Sequence, residues 1–328
     1  MMNKDDLRIV FMGTPEFAVE TLKALVENHY PVVGVVTQPD KPVGRHGSVL
    51  QPPAVKQYAL EHGLPVLQPE KMKDPAFLEQ LRSWQPNLQV VVAFRMLPEV
   101  VWAMPRYGTF NVHAALLPDY RGAAPINWAV INGETRTGVT TFFLDHDIDT
   151  GRIIRQKPFD IPDTADVEYV YDGLMHLGAA LCLETLEDII AADGKPASLP
   201  QDEKLAVHAA PKLFKDNCRI NWVQPARNIY NFVRGLSPVP GAWTMLKAAD
   251  GTETVLKIFR TKLPADGALP TGQSSEVPGT LVRDKRHLYV VCRDALLQID
   301  ELQPAGKKRM EAQAFLNGFW HDGKQILL

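Results

Sequence analysis

Cysteine is scarce in this sequence: Cys182, Cys218 and Cys292 are the only three in 328 residues, odd in number and far apart. That spacing argues against a disulfide framework and against a cysteine metal knuckle, and it fits reduced thiols in a cytoplasmic protein. No apolar run approaches the roughly 18 residues of a membrane span, so no transmembrane helix is expected. The opening MMNKDDLRIVFMG has acidic groups near its front and only a short apolar run, which is not the pattern of a secretory signal. The glycine triplet of a dinucleotide site is also missing. Gly13 ends the first apolar run without its two partners, and the next strand runs into Thr37-Gln38 with no acidic group to hold a ribose, so NAD is not expected.

What is present is an ordinary globular composition, 45% hydrophobic and 22% charged, in a chain long enough for two domains. The net charge of −3 hides an asymmetry. From residue 209 onward, 9 Lys and 8 Arg face 7 Asp and 4 Glu, a net of +6 that leaves −9 on the rest. A cationic part joined to an anionic part suggests that one of them meets a polyanion, although such imbalance also occurs without a partner.

The first apolar run turns through Gly-Thr-Pro-Glu into a helical pattern carrying Phe17, Leu22 and Leu25. Thr14 is expected as N-cap, Pro15 at the first helical position and Glu16 in the first turn. A strand over 31–37 then makes a βαβ opening and predicts a parallel sheet. Residues 38–53, QPDKPVGRHGSVLQPP, are too rich in proline, glycine and basic groups for regular structure and read as a functional loop. Helices are expected over 54–62 and 75–84, strands over 64–67 and 88–93, and a further strand pair over 152–161. A long amphipathic helix within 166–193 closes a first domain, and the polar stretch after it reads as a linker. Beyond residue 208, short β-like runs at 254–259, 279–282, 288–291 and 295–302 suggest a small OB-like barrel, a frequent nucleic-acid platform. The expected fold is therefore α/β: a Rossmann-like domain with a mostly parallel sheet (1–193), a linker (194–208) and a smaller C-terminal β-barrel (209–328).

The chemistry-bearing stretch is 108–151. Asn111 and His113 are two apart on an extended segment, so they share one strand face. An amide donor and an imidazole converging on one point suit a carbonyl oxygen that becomes negative during acyl transfer, and Asp149 is placed to orient the imidazole and hold it charged. These groups are expected at the carboxyl ends of two neighbouring strands, where open α/β sheets bind ligands. An Asn-x-His pair is more often structural, but here it is followed by Leu-Leu-Pro-x-x-Arg-Gly-Ala-x-Pro and then by Asp-x-x-x-Asp-Thr-Gly.

That string resembles the formyltransferase family that uses 10-formyltetrahydrofolate. The resemblance covers essentially the whole chain, including the GTPEF opening, GLSPVPGAWT and LQPAGKKRM. It implies formyl transfer with Asn111, His113 and Asp149 as catalytic residues, 10-formyltetrahydrofolate as co-substrate and no metal. It implies a folate pocket formed by Phe94, Arg95, Met96 and Leu97, through backbone groups, with Leu116, Leu117, Pro118 and Asp147, and a cis Leu117-Pro118 bond. The C-terminal signature resembles members acting on initiator methionyl-tRNA. It implies tRNA contacts at Lys41, Arg45, Lys307, Lys308 and Arg309, with the tRNA held across both parts, and neither a membrane nor an obligate protein partner. Three departures stand out: Phe94-Arg95 where the family usually has Tyr-Gly, Ala115 where it has Ser, and Asp147, preceded by His146, where many members have Gly. Two other functions stay open: formyl transfer to a small amine such as a purine precursor or amino sugar, and a non-catalytic RNA-binding protein, against which intact Asn111, His113 and Asp149 argue.

Overall fold

The computed structural model describes residues 2–43, 49–264, 277–320 and 325–328. Contacts divide the chain into two compact units. The first comprises Met1–Pro125, Arg136–Asp160 and Tyr171–Ala209, and the second Ile126–Thr135, Ile161–Val170 and Ala210–Leu328.

The first unit alternates strands and helices. β1 (Ile9–Gly13) is buried throughout, and α1 (Glu16–Glu27) turns Phe17, Ala18, Thr21, Leu22 and Leu25 inward, the three- and four-residue spacing of one helix face. β2 (Val32–Val36) runs parallel to β1. There follow in the chain β3 (Lys41–Val43), β4 (Val49–Gln51), α2 (Ala54–Glu61), β5 (Val66–Leu67), α3 (Pro75–Ser83), β6 (Leu88–Val92), α4 (Glu99–Trp102), β7 (Thr109–His113), β8 (Arg121–Gly122), α5 (Pro125–Ile131), which from Ile126 on falls in the second unit, β9 (Arg136–Phe143), β10 (Ile153–Asp160), α6 (Val167–Ala191), whose first residues up to Val170 also fall in the second unit, and β11 (Ala209–Ala210). The main sheet has the order β10-β9-β7-β6-β1-β2-β5. The strands from β7 to β5 are parallel, whereas β9 and β10 are antiparallel additions. Burial follows that division: β1 and β6 are fully buried, and edge strand β10 alternates half-buried with exposed residues along its second half. The chain winds outward from β1 through β2 to β5 and then returns to β6 and β7 on the other side of β1. The crevice between β1 and β6 is thus the topological switch point.

Three local expectations change. Pro15, extended at φ −80° and ψ 174°, is the N-cap, so α1 begins one residue later, and the Thr14 hydroxyl, instead of capping, is buried with no hydrogen-bond partner among the described residues. The basic loop contains regular structure, because β3 and β4 pair antiparallel as an isolated exposed ribbon. Pro42 is tolerated there because a two-stranded ribbon leaves outward N–H positions unused. Residues 152–161 supply one strand, β10, whose partner is β9.

In the second unit, α7 (Ala226–Leu236) buries Ile229, Tyr230, Val233 and Leu236. It is followed by β12 (Ala242–Lys247), β13 (Glu253–Lys262), β14 (Leu281–Arg283), β15 (Leu288–Val291), β16 (Leu296–Pro304), β17 (Met310–Glu311), α8 (Ala312–Gly318) and β18 (Ile326–Leu327). The antiparallel sheet has the order β14-β15-β16-β13-β12-β18. Its first and last strands meet through the Thr280–Ile326 bridge and the Leu281 N–H donating to the Gln325 carbonyl at 3.0 Å, so the sheet closes on itself. β12 is a strand the proline-rich preceding stretch concealed, although its Ala242, Thr244 and Leu246 alternate inward as a half-buried strand should.

Candidate active site

β7 carries Asn111 and His113. The His113 ring is buried, with Nε2 donating to the Tyr120 carbonyl at 3.0 Å and Nδ1 3.9 Å from Asp149 Oδ2. The second separation is too long for a hydrogen bond. No hydrogen bond therefore joins Nδ1 to the Asp149 carboxylate in this arrangement. Asn111 Oδ1 is buried without a hydrogen-bond partner among the described residues. Buried polar atoms in native proteins are nearly always paired, so this oxygen stands apart from most of the buried polar groups around it.

Asp149 reaches this point by a route that corrects the expected one. β9 is antiparallel to β7, with Thr140 opposite His113 and Phe143 opposite Phe110. The carboxyl ends of the two strands therefore lie at opposite ends, about 10 Å apart along β7. Residues 144–150 fold back along the sheet to return Asp149 to His113. Asp149 sits in the left-handed region at φ 57°, which a short polar side chain tolerates better than most, and its Oδ2 accepts the Gly122 N–H at 2.9 Å. Asp145 ties the base of the loop, its Oδ1 accepting from the Thr150 hydroxyl at 2.7 Å and the Asp147 N–H at 3.2 Å. His146 stands edge-on to Trp102, with Nδ1 3.9 Å from Glu99 Oε2. A Cβ on Gly151 would fall 1.7 Å from the Phe143 carbonyl oxygen, so only glycine allows the loop to close onto β9.

Between β7 and β8, the Leu117-Pro118 bond is cis. Thr140 Oγ1 holds this turn, donating to the Ala115 carbonyl at 2.7 Å and accepting the Leu117 N–H at 3.1 Å. Gln156 Nε2 donates to the Leu117 carbonyl at 2.7 Å. Ala115 is fully buried.

The remaining candidate residues lie as follows. Leu97 belongs to the apolar cluster of Met12, Val91 and Val101, and Phe94 packs against it. Arg95 donates to the Glu70 carbonyl at 2.9 Å and to the Pro69 carbonyl, its Nε is buried with no partner among the described residues, and burial pushes its guanidinium below the usual range. Of these four, only Met96 displays its side chain, 74% exposed. Leu117 and Pro118 are buried, Leu116 is half-buried and Asp147 is exposed. Lys41 is exposed on β3, and Arg45 lies outside the described residues. Lys307, Lys308 and Arg309 are exposed on the second unit. Arg309 is engaged there, paired with both oxygens of Glu301 at 2.5 and 2.7 Å and stacked 4.3 Å over the Phe259 ring. Tyr120 and Gly122, which touch the triad through backbone atoms, carry no side-chain signal that could have singled them out.

The formyl transferase family model matches residues 7–186, and the model of the formyl transferase C-terminal domain matches residues 212–320. The chain belongs to the formyl transferase family. Among its relatives, the methionyl-tRNA formyltransferase of Parabacteroides distasonis is 60% identical over 323 residues, 97% of each chain, and that of Bacteroides fragilis is 55% identical with the same coverage. The formyl transferase fold also recurs at low identity. HypX from Aquifex aeolicus, solved in complex with tetrahydrofolic acid, matches with a TM-score of 0.60 at 19% identity over 95% of this chain and 47% of HypX, so this chain spans about half of HypX. An N-formyltransferase from Helicobacter canadensis, in complex with folinic acid and dTDP-3-aminofucose, gives 0.62 at 18% identity over 93% of this chain and 100% of its own. Among the described residues, no helix of this formyl transferase is long and apolar enough to cross a membrane.

Proposed function

We propose that this formyl transferase moves the formyl group of 10-formyltetrahydrofolate to the α-amino group of methionine on initiator methionyl-tRNA. The observation that carries this reading is the 60% identity to a methionyl-tRNA formyltransferase over 97% of both chains, which spans both family domains. The arrangement of Asn111, His113 and Asp149 supports it. The amine nitrogen bonds to the formyl carbon and creates an oxyanion, then the carbon–N10 bond breaks to release tetrahydrofolate. The Asn111 amide and the Nδ1–H of a protonated His113 donate to the oxyanion, each such donor contributing roughly 3 to 4 kcal/mol to barrier lowering. Asp149 supplies the counter-charge, and the proton lost by the amine passes to the departing nitrogen. An unperturbed α-amino group has a pKa of ~8, so a useful fraction is neutral near neutral pH without a strong base.

In this reading the folate lies against Leu116, Leu117, Pro118 and Asp147 and along the backbone of 94–97, since Phe94 and Leu97 commit their side chains to the core. Lys41, Arg45, Lys307 and Lys308 serve the tRNA, with Arg309 in a lesser role because Glu301 already neutralises it. The proposed division of labour is catalysis in 1–193 and tRNA binding in 209–328. Incubation of the purified protein with 10-formyltetrahydrofolate and methionyl initiator tRNA, with elongator tRNA and free amino sugars as controls, tests it. Formylation of the initiator alone is the expected result, and formylation of a small amine without tRNA points instead to the other branch of the family.

A further inference from the structure

We infer that residues 199–208, which composition presents as a linker, belong to the catalytic apparatus, with Gln201 as the positioning residue that holds Asp149 in place. The inference rests on the reading of Asp149 given above. Gln201 Nε2 donates to the carbonyl oxygens of Asp149 and Gly151, both at 2.8 Å. Its Oε1 accepts from Arg121 Nε at 3.1 Å and Nη2 at 2.7 Å. Arg121 precedes Gly122, whose N–H holds the Asp149 carboxylate at 2.9 Å. Asp149 is thus gripped at its backbone and at its side chain by two groups that one amide joins together. That grip matters because left-handed backbone at Asp149 costs energy and persists only where its surroundings over-determine it.

The rest of the segment is sewn to the other side of the site. Leu199 exchanges both backbone hydrogen bonds with Ile153 at 2.8 Å. Arg121 also pairs with Glu203, at 2.9 and 2.8 Å. Asp119 Oδ1 accepts from the Val207 N–H at 3.0 Å and the His208 N–H at 2.5 Å, and the Tyr120 N–H donates to the His208 carbonyl at 2.8 Å. The Tyr120 carbonyl is the acceptor for His113 Nε2. One segment therefore fixes the immediate neighbours of both His113 and Asp149. Position 201 requires two N–H donors and one acceptor on the same planar group, which is the inventory of a primary amide. Glutamate has the same shape and would still accept from Arg121, but it would set an anion against two carbonyl oxygens.

The test is steady-state kinetics of the full-length enzyme carrying Gln201→Ala, Gln201→Glu or Asp149→Ala. Misplacing Asp149 should lower kcat about 10- to 100-fold. The Michaelis constants for methionyl-tRNA and the formyl folate should stay within about two-fold, since the lost interaction belongs to the transition state. Q201E should be as impaired as Q201A, because shape without donors does not suffice. Should Q201A melt early, Q201E decides, as it keeps the side-chain volume and the Arg121 contact. Normal kcat in Q201E, or raised Michaelis constants at unchanged kcat, overturns the positioning role while Asp149→Ala is inactive. Normal kcat in Asp149→Ala overturns the reading of the site itself, and the inference with it.

Discussion

At the scale of single residues, His113 is held at one nitrogen and open at the other, with Nε2 fixed on the Tyr120 carbonyl and Nδ1 facing Asp149 across 3.9 Å. Replacing it by Ala should cut kcat about 100-fold or more and leave folate affinity nearly intact. Turnover near wild type, measured alongside folate binding, removes it from the mechanism. The basic run 307–309 separates by what each cation touches. Arg309 serves Glu301 and Phe259, so R309A should lower stability by about 1 kcal/mol in denaturant melts. Lys307 stands 5.7 Å over the Phe319 ring, so K307A/K308A should cost at most about 1 kcal/mol, raise the Michaelis constant for tRNA and reduce the salt slope of binding by about 2 if each lysine meets a phosphate. Superimposable slopes mean that the lysines do not. Asp284 gives a pH dependence. The Arg286 N–H, then the His287 side chain and N–H, hold its carboxyl at about 2, below the usual aspartate range. A depressed folded pKa contributes stability above the unfolded pKa and loses it as pH falls towards the folded one. D284N should therefore melt earlier than wild type at neutral pH, and the two should converge between about pH 4 and pH 2.

At the scale of elements, the loop between β9 and β10 is the most demanding piece of chain, because it must return Asp149 against the direction of β9. Gly151 is where it closes, with its would-be Cβ overlapping a backbone oxygen that cannot yield. Gly151→Ala should destabilise by about 1 to 3 kcal/mol and should also depress kcat, since relief of the clash moves the Asp149 loop. Gly63 provides the contrast. Its φ is 67° but nothing lies within 4 Å of a Cβ there, so Gly63→Ala should cost about 1 kcal/mol and spare turnover. Equal losses of activity in the two variants would mean that loss of stability, rather than loop geometry, accounts for the effect.

At the scale of the whole molecule, each unit has its own apolar core, and each buries thiols: Cys182 in the first, Cys218 and Cys292 in the second. Burial raises all three pKa values, that of Cys292 to about 12. A thiol reagent at neutral pH should label none of them quickly in the native protein and all three after denaturation. In partial denaturant, labelling of Cys182 reports opening of the first unit and labelling of the other two opening of the second. Rapid labelling of native Cys218 or Cys292 would show that the second core is open to solvent. Much of this was legible beforehand. The apolar runs of β1 and β6 announced buried parallel strands, and period two placed Asn111 and His113 on one face, because both properties follow from backbone geometry acting over a few consecutive residues. The direction of β9, the return of Asp149 and the grip of Gln201 on it from 52 residues away belong to a different class. No local period encodes which strand β9 pairs with or which carbonyls a distant amide meets. Those outcomes depend on the packing free energy of the whole unit, and only the tertiary structure decided them.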